Sequence, residues 1–252
     1  RILRTLSGPR PAAETVIAAC DRLSAGLDTE KYLGRMEQIG ISRRLGQSYL
    51  QQARIMFSGD YLRARMDREL GPGWRGPYGY APPGSAAPVM ESIEPLGVLL
   101  HIAAGNVDGL PAFSVLEGLL TGNINLLKLP EVDGGVSIML LNELVRLEPR
   151  LADYIYVFDY SSRDTAAIAG LIRAADAVVV WGGDAAVGAL RHKVPPEIRL
   201  IEWGHKLSFA YATPRGVGEA SLSGLARGIC RSNQLLCSSC QGIYLDTDSM
   251  DE

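Results

Sequence analysis

The sequence predicts an α/β protein built on a doubly wound parallel sheet, preceded by a helical region and followed by the start of a second α/β unit. Three observations predict it. Short, wholly apolar runs alternate with helical stretches from residue 96 to residue 202. The runs are apolar at every position rather than at every second one, as strands are when helices cover both faces of a sheet. Each run is joined to the next by a stretch long enough for a crossover helix, which makes the pairing parallel.

Residues 11 to about 70 precede this alternation and carry apolar positions at helical spacing, first Val16, Ile17, Cys20 and Leu23, then Leu45, Tyr49, Leu50, Ala53, Met56 and Phe57. They read as helix faces closing a core. Residues 71–88 (GPGWRGPYGYAPPGSAAP) read as a Gly/Pro-rich connection or extended arm. The strands are then expected at 96–104, 124–129, 154–158, 177–181 and 198–202, with helices at 111–120, 136–147, 163–175 and 184–191. A further strand at 207–212, a helix at about 218–230 and the segment 233–246 read as the opening of another unit. The expected division is 1–88 for the helical region and arm, 89–205 for a nucleotide-binding α/β domain and 206–252 for the beginning of a catalytic thiol domain. Both ends read as cut from something longer.

The chain has 252 residues, 47% of them hydrophobic and 21% charged, with a net charge of −3. That composition is globular, and it argues against an electrostatic nucleic-acid binder or a membrane-surface protein. No apolar run reaches the roughly 18 residues of a bilayer span. Four cysteines, Cys20, Cys230, Cys237 and Cys240, are too few for a disulfide scaffold and suit a reducing cytosol.

Ligands of open α/β sheets bind beyond the strand carboxyl ends, so loops 104–110, 129–135, 159–163 and 181–184 are the informative ones. Gly71, Gly73 and Gly76 match the GxGxxG spacing, but a helix precedes them and prolines follow, so the match carries no phosphate site. Trp181-Gly182-Gly183-Asp184 follows a strand and opens a helix. Gly182, Gly183 and Asp184 either cradle a phosphate at the helix N-terminus or form a tight turn capped by Asp184, and both readings stand. The Cys237-Ser-Ser-Cys240 pair admits a redox pair, half a zinc site, one nucleophile beside a bystander, or buried structural thiols. His101 lies in an apolar strand and reads as a satisfied core residue.

Four blocks in order resemble the aldehyde dehydrogenase superfamily, and within it the bioluminescence-type (LuxC-type) fatty acyl-CoA reductases. They are residues 95–106 (PLGVLLHIAAGN), the run from Leu127 to Glu131, Glu202-Trp-Gly-His-Lys206 and Asn233-Gln-Leu-Leu-Cys237-Ser-Ser. The resemblance covers about residues 90–246 and implies a Rossmann-like sheet of aldehyde dehydrogenase type. It implies Cys237, and not Cys240, as nucleophile, Asn106 as oxyanion donor and Glu202 as general base, whose bland alternative is pairing with Lys206. It places an adenosine ribose at Lys128 and Glu131. The implied activity is reduction of an acyl-CoA or acyl thioester to an aldehyde through a Cys thioester, using NAD or NADP, with no metal, in a cytoplasmic homo-oligomer whose 77–95 arm is exchanged. His205 stands where the wider superfamily has Gly, which points to the acyl reductase branch. The competing reading is a catalytically incomplete nucleotide-binding or interaction module of the same fold.

Overall fold

The computed structural model describes residues 1–84, 87–105, 109–131, 133–231, 234 and 239–247. Five helices open the chain: α1 (Ile2–Leu6), α2 (Ala13–Gly26), α3 (Thr29–Gln38), α4 (Arg43–Phe57) and α5 (Gly59–Leu70). Three carry side-chain caps, since Asp28, Ser42 and Ser58 accept from the backbone N–H of Lys31, Leu45 and Tyr61. The Gly/Pro segment begins as a 3₁₀ turn, Gly71–Arg75. It continues into a short antiparallel pair, β1 (Tyr78–Tyr80) and β2 (Val89–Glu91). The GxGxxG glycines therefore follow a helix and serve a turn, with Gly71 at φ 63° and Gly76 at φ 141°.

The alternation follows as expected: β3 (Val98–Ile102), α6 (Leu110–Leu120), β4 (Ile124–Lys128), α7 (Val136–Leu147), β5 (Ile155–Phe158), α8 (Thr165–Arg173), β6 (Ala177–Trp181), α9 (Asp184–Arg191) and β7 (Arg199–Trp203). The sheet order is β5-β4-β3-β6-β7 and every pair is parallel. The three inner strands are buried almost throughout, while the edge strands β5 and β7 are only partly covered. From β3 the chain winds outward through α6 and α7, then returns to the centre and winds the other way through α8 and α9. Right-handed crossovers place α6 and α7 on one face and α8 and α9 on the other. α2 packs on α6 and α7, so the helical region and the sheet share one buried cluster from Val16 to Leu190. The unit β8 (Ser208–Ala212), α10 (Glu219–Arg231) and β9 (Cys240–Leu245) forms a separate two-stranded parallel sheet. Among the described residues no helix is long and apolar enough to cross a membrane.

A buried polar chain crosses from α6 through the sheet. His101 Nδ1 lies 2.8 Å from Ser114 Oγ and Nε2 lies 2.9 Å from Asn125 Oδ1. Asn125 is oriented by its Nδ2, which donates to the carbonyls of Asn123 and Tyr154. Its Oδ1 therefore accepts, Nε2 carries the proton and Nδ1 accepts from the Ser114 hydroxyl. His101 is thus the satisfied core residue the sequence suggested.

Burial pushes this imidazole down to about 4. Because the unfolded chain takes up the proton near pH 6.5 and the folded chain does not, stability is expected to fall as pH drops from about 6.5 to 4, by about 3 kcal/mol. Urea unfolding at neutral and acid pH checks this. His101→Gln should flatten the acid loss, and an unchanged loss in that variant would place the effect elsewhere.

Candidate functional site

The strand order reverses between β3 and β6, and that switch point is where open α/β sheets bind ligands. The loop after β3 contains Asn106, and Trp181-Gly182-Gly183-Asp184 follows β6. Asn106 and Cys237 themselves lie outside the described residues.

Lys128 is the last residue of β4 and only 3% exposed. Its Nζ donates to Ser162 Oγ at 2.8 Å. Burial pulls its pKa below the ordinary lysine range, while the carboxylates of Glu131 and Asp159 act in the opposite sense. Glu131 Oε1 accepts from Ser161 Oγ and from the Ser162 backbone N–H, both at 3.3 Å. The Lys128–Glu131 pair is therefore gripped by the loop that follows β5. Sequence reasoning marked loop 159–163 by position alone. The two serines become legible as partners only when β5 is placed beside β4.

At the end of β6, Gly183 and not Asp184 is the N-cap residue of α9, and no side chain caps the helix. The Asp184 cap of the turn reading is thus absent; Asp184 is the first helical residue. The Gly182 N–H is spent on the Trp203 carbonyl at 3.2 Å. The N–H groups of Gly183, Asp184 and Ala185 have no protein partner among the described residues, because the helix ladder begins with Ala186 and Val187 bonding to Gly183 O. Gly183, Asp184 and Ala185 are all exposed, and a Cβ built on Gly183 meets nothing within 4 Å. Free donors at an open helix end suit an anion.

Glu202 lies on β7 and forms a two-pronged ion pair with Arg191 of α9, not with Lys206. The Arg191 hydrogen bonds hold its carboxyl below the usual range. Arg191 is thus the partner of Glu202, and a carboxylate held this way takes up a proton less readily than a free one. Arg191 escaped the sequence reading because it sits in the last turn of a helix, where a cation also favours the dipole.

Of the thiols, Cys20 is buried and burial pushes its pKa far up, so it is inert. Cys230 is exposed on α10. Cys240 opens β9, and its S–H donates to the Gly242 carbonyl at 3.1 Å. Among the described residues no three His, Cys, Asp or Glu side chains come together as metal ligands.

The sequence profile of the acyl-CoA reductase (LuxC) family matches residues 10–252. A long-chain acyl-protein thioester reductase of Vibrio harveyi is 32% identical over 162 residues, which are 63% of this chain and 34% of that protein. The long-chain acyl-protein thioester reductase 2 of Photobacterium leiognathi is 30% identical over 160 residues, 62% of this chain and 34% of that protein. The matched segment spans about a third of the length of these curated relatives. Among solved structures, the Rhodopseudomonas palustris propionaldehyde dehydrogenase with bound propionyl-CoA superposes with a TM-score of 0.72 at 14% identity, covering 96% of this chain and 52% of that one. Succinate-semialdehyde dehydrogenase from Burkholderia pseudomallei superposes with a TM-score of 0.75 at 14% identity, over 97% of this chain and 50% of that one. At those identities the structures show a shared fold, that of the aldehyde dehydrogenases. With the matching profile spanning nearly the whole sequence, the chain belongs to the acyl-CoA reductase (LuxC) family.

Proposed function

We propose that this protein takes part in reducing a fatty acyl thioester, on coenzyme A or on a carrier protein, to the aldehyde at the expense of NADPH or NADH. The observation that carries the reading is the carboxyl edge of the sheet. The gripped Lys128–Glu131 pair ends β4, and the uncapped N-terminus of α9 follows β6, two strands away. These groups fit the coenzyme: a carboxylate to accept from ribose hydroxyls, a cation beside it and backbone N–H groups to donate to the diphosphate. When bound, the reduced nicotinamide supplies the hydride that turns an enzyme thioester into an aldehyde.

In this reading the chain's own residues do the rest. The Cys237 thiolate attacks the thioester carbonyl carbon and displaces the thiol of the coenzyme or carrier. The Asn106 amide donates to the oxyanion that develops. Cys240, whose S–H is occupied by the Gly242 carbonyl, stands aside. Glu202, held by Arg191, does not activate water, which protects the thioester from wasteful hydrolysis. Residues 89–205 serve the coenzyme, 206–252 carry the thiol and 1–88 support the sheet. The exposed β1–β2 hairpin, with Tyr80, Val89 and Met90 outward, suits contact between copies of the protein.

The test is acyl-CoA-dependent oxidation of NADH and NADPH with aldehyde detected as product. Coenzyme binding without aldehyde would favour the non-catalytic module instead. Coenzyme choice turns on Glu131, whose charge favours ribose hydroxyls and repels a 2′-phosphate that Lys128 attracts. Glu131→Gln is expected to improve binding of NADP relative to NAD by about three- to tenfold, the worth of one screened charge pair near the surface. Calorimetry with both coenzymes reads the ratio, and an unchanged ratio contradicts the repulsion argument.

A further inference from the structure

Arg35 stands in the last turn of α3, in the helical region, and reaches the stretch that follows β4. Its Nε donates to the Gly134 carbonyl at 2.6 Å, while Nη1 donates to Gln38 Oε1 at 3.2 Å and so orients the guanidinium. The next residue, Gly135, is the N-cap of α7 and takes φ 80°, a left-handed conformation that favours glycine. A Cβ there would stand 3.2 Å from Arg35 Nη2 and 3.3 Å from Nε. The guanidinium therefore lies against the glycine, in space that a side chain would need. The Gly135 N–H donates to Asp133 Oδ2 at 2.9 Å, which tightens the same turn. α3 does not depend on this contact to stay in place, because Tyr32, Leu33 and Met36 already bury its inner face. What the charge-assisted bond adds is a tie between segments 99 positions apart, and it fixes the turn.

We propose that Arg35 is a positioning residue for the coenzyme: it braces the turn at Gly134 and Gly135 and so fixes where the Glu131 carboxylate meets the adenosine ribose. The proposal rests on the coenzyme reading above and extends it to the helical region, which there only supports the sheet. Glu131 lies three residues before Gly134. Ser161 and Ser162 hold it from the loop that leads to α8, whereas Arg35 comes from α3, which packs on α7. Right-handed crossovers put α7 and α8 on opposite faces of the sheet, so the stretch after β4 is held from both sides. The two bonds to Glu131 are 3.3 Å long, beyond the usual range, and the carboxylate is exposed. The serines alone are a loose restraint, and the shorter Arg35 bond is the firmer one. A carboxylate ordered before the ligand arrives spares the ligand the cost of ordering it.

The test measures ADP-ribose binding by calorimetry to the intact protein, to Arg35→Met, Arg35→Lys and Glu131→Ala, and to the double variant Arg35→Met with Glu131→Ala. Arg35→Met is expected to weaken ADP-ribose by about three- to tenfold, somewhat less than a charge-assisted hydrogen bond is worth when lost outright. Arg35→Lys, which keeps a donor but not the planar fork, should recover part of the loss. On top of Glu131→Ala, Arg35→Met should cost less than about twofold, because the group it positions is gone. In turnover, Arg35→Met should raise the coenzyme KM with little change in kcat. Unchanged ADP-ribose binding in Arg35→Met would overturn the brace and leave the coenzyme reading intact. An equal loss with and without Glu131 would show that Arg35 does not act through that carboxylate, and would also overturn it. Should Arg35→Met fail to fold, Arg35→Gln takes its place in the same comparison, and failure of both while Arg35→Lys folds would make Arg35 a structural residue and overturn the proposal. Failure of ADP-ribose and both coenzymes to bind the unaltered protein would remove the coenzyme reading and the brace together.

Discussion

Gly118→Ala is expected to destabilise the fold by about 3–5 kcal/mol, combining overpacking with the loss of a buried hydrogen-bond partner. Gly118 lies in the last turn of α6 and faces β4. A methyl group there would fall 1.8 Å from Asn125 Oδ1 and 2.9 Å from its Cγ. Asn125 cannot simply turn aside, because its amide donates to two backbone carbonyls while its oxygen holds His101. Either α6 lifts off the sheet or the buried Ser114–His101–Asn125 chain breaks. Denaturant unfolding reads the loss. Adding Asn125→Ala to Gly118→Ala makes room for the methyl and should recover part of it. A loss under about 1 kcal/mol in the single variant would show that α6 does not approach β4 this closely.

Cys237→Ala is expected to lower aldehyde formation by about 10⁴-fold or more, the scale for removing a covalent nucleophile, while coenzyme binding stays unchanged. Cys240→Ala should retain most activity, because its S–H is engaged with the Gly242 carbonyl at the start of β9. The paired comparison separates catalysis from folding, since the two residues lie three positions apart and a general disturbance of that segment would touch both variants. Activity surviving in Cys237→Ala would remove the nucleophile assignment.

The sheet was legible because its inner strands are buried on both faces and so read as unbroken apolar runs. Their ends were less so. The run at 96–104 predicts a longer strand than β3, which starts at Val98 because Gly97 takes φ 122° and Asp176 accepts the Val98 N–H. The β1–β2 pair escapes the sequence because its three-residue strands are short and largely exposed, with no periodicity to detect. At the candidate site the sequence supplied single residues and the structure supplied their partners. Lys128 and Glu131 are marked by the family resemblance of the run from Leu127 to Glu131, whereas Ser161 and Ser162 reach them across some thirty positions of chain. For Glu202 the resemblance implies a general base, with pairing to Lys206 as the bland alternative; the neighbouring helix brings it Arg191, which no local pattern marks. The stacking of Trp181 on Trp203 across β6 and β7 has no local signal, because a strand-terminal Trp reads as core until the register sets two of them side by side.

Passage of the acyl group through Cys237 is read at the site of acylation. The protein is incubated with a long-chain acyl-CoA in the absence of coenzyme, its intact mass is measured and the adduct is mapped by peptide mass spectrometry. One acyl group is expected, on Cys237 and labile to hydroxylamine, which disappears on addition of NADPH or NADH as aldehyde is released. An adduct on Cys240 or Cys230, or coenzyme-dependent aldehyde formation with no acylated cysteine, would contradict it.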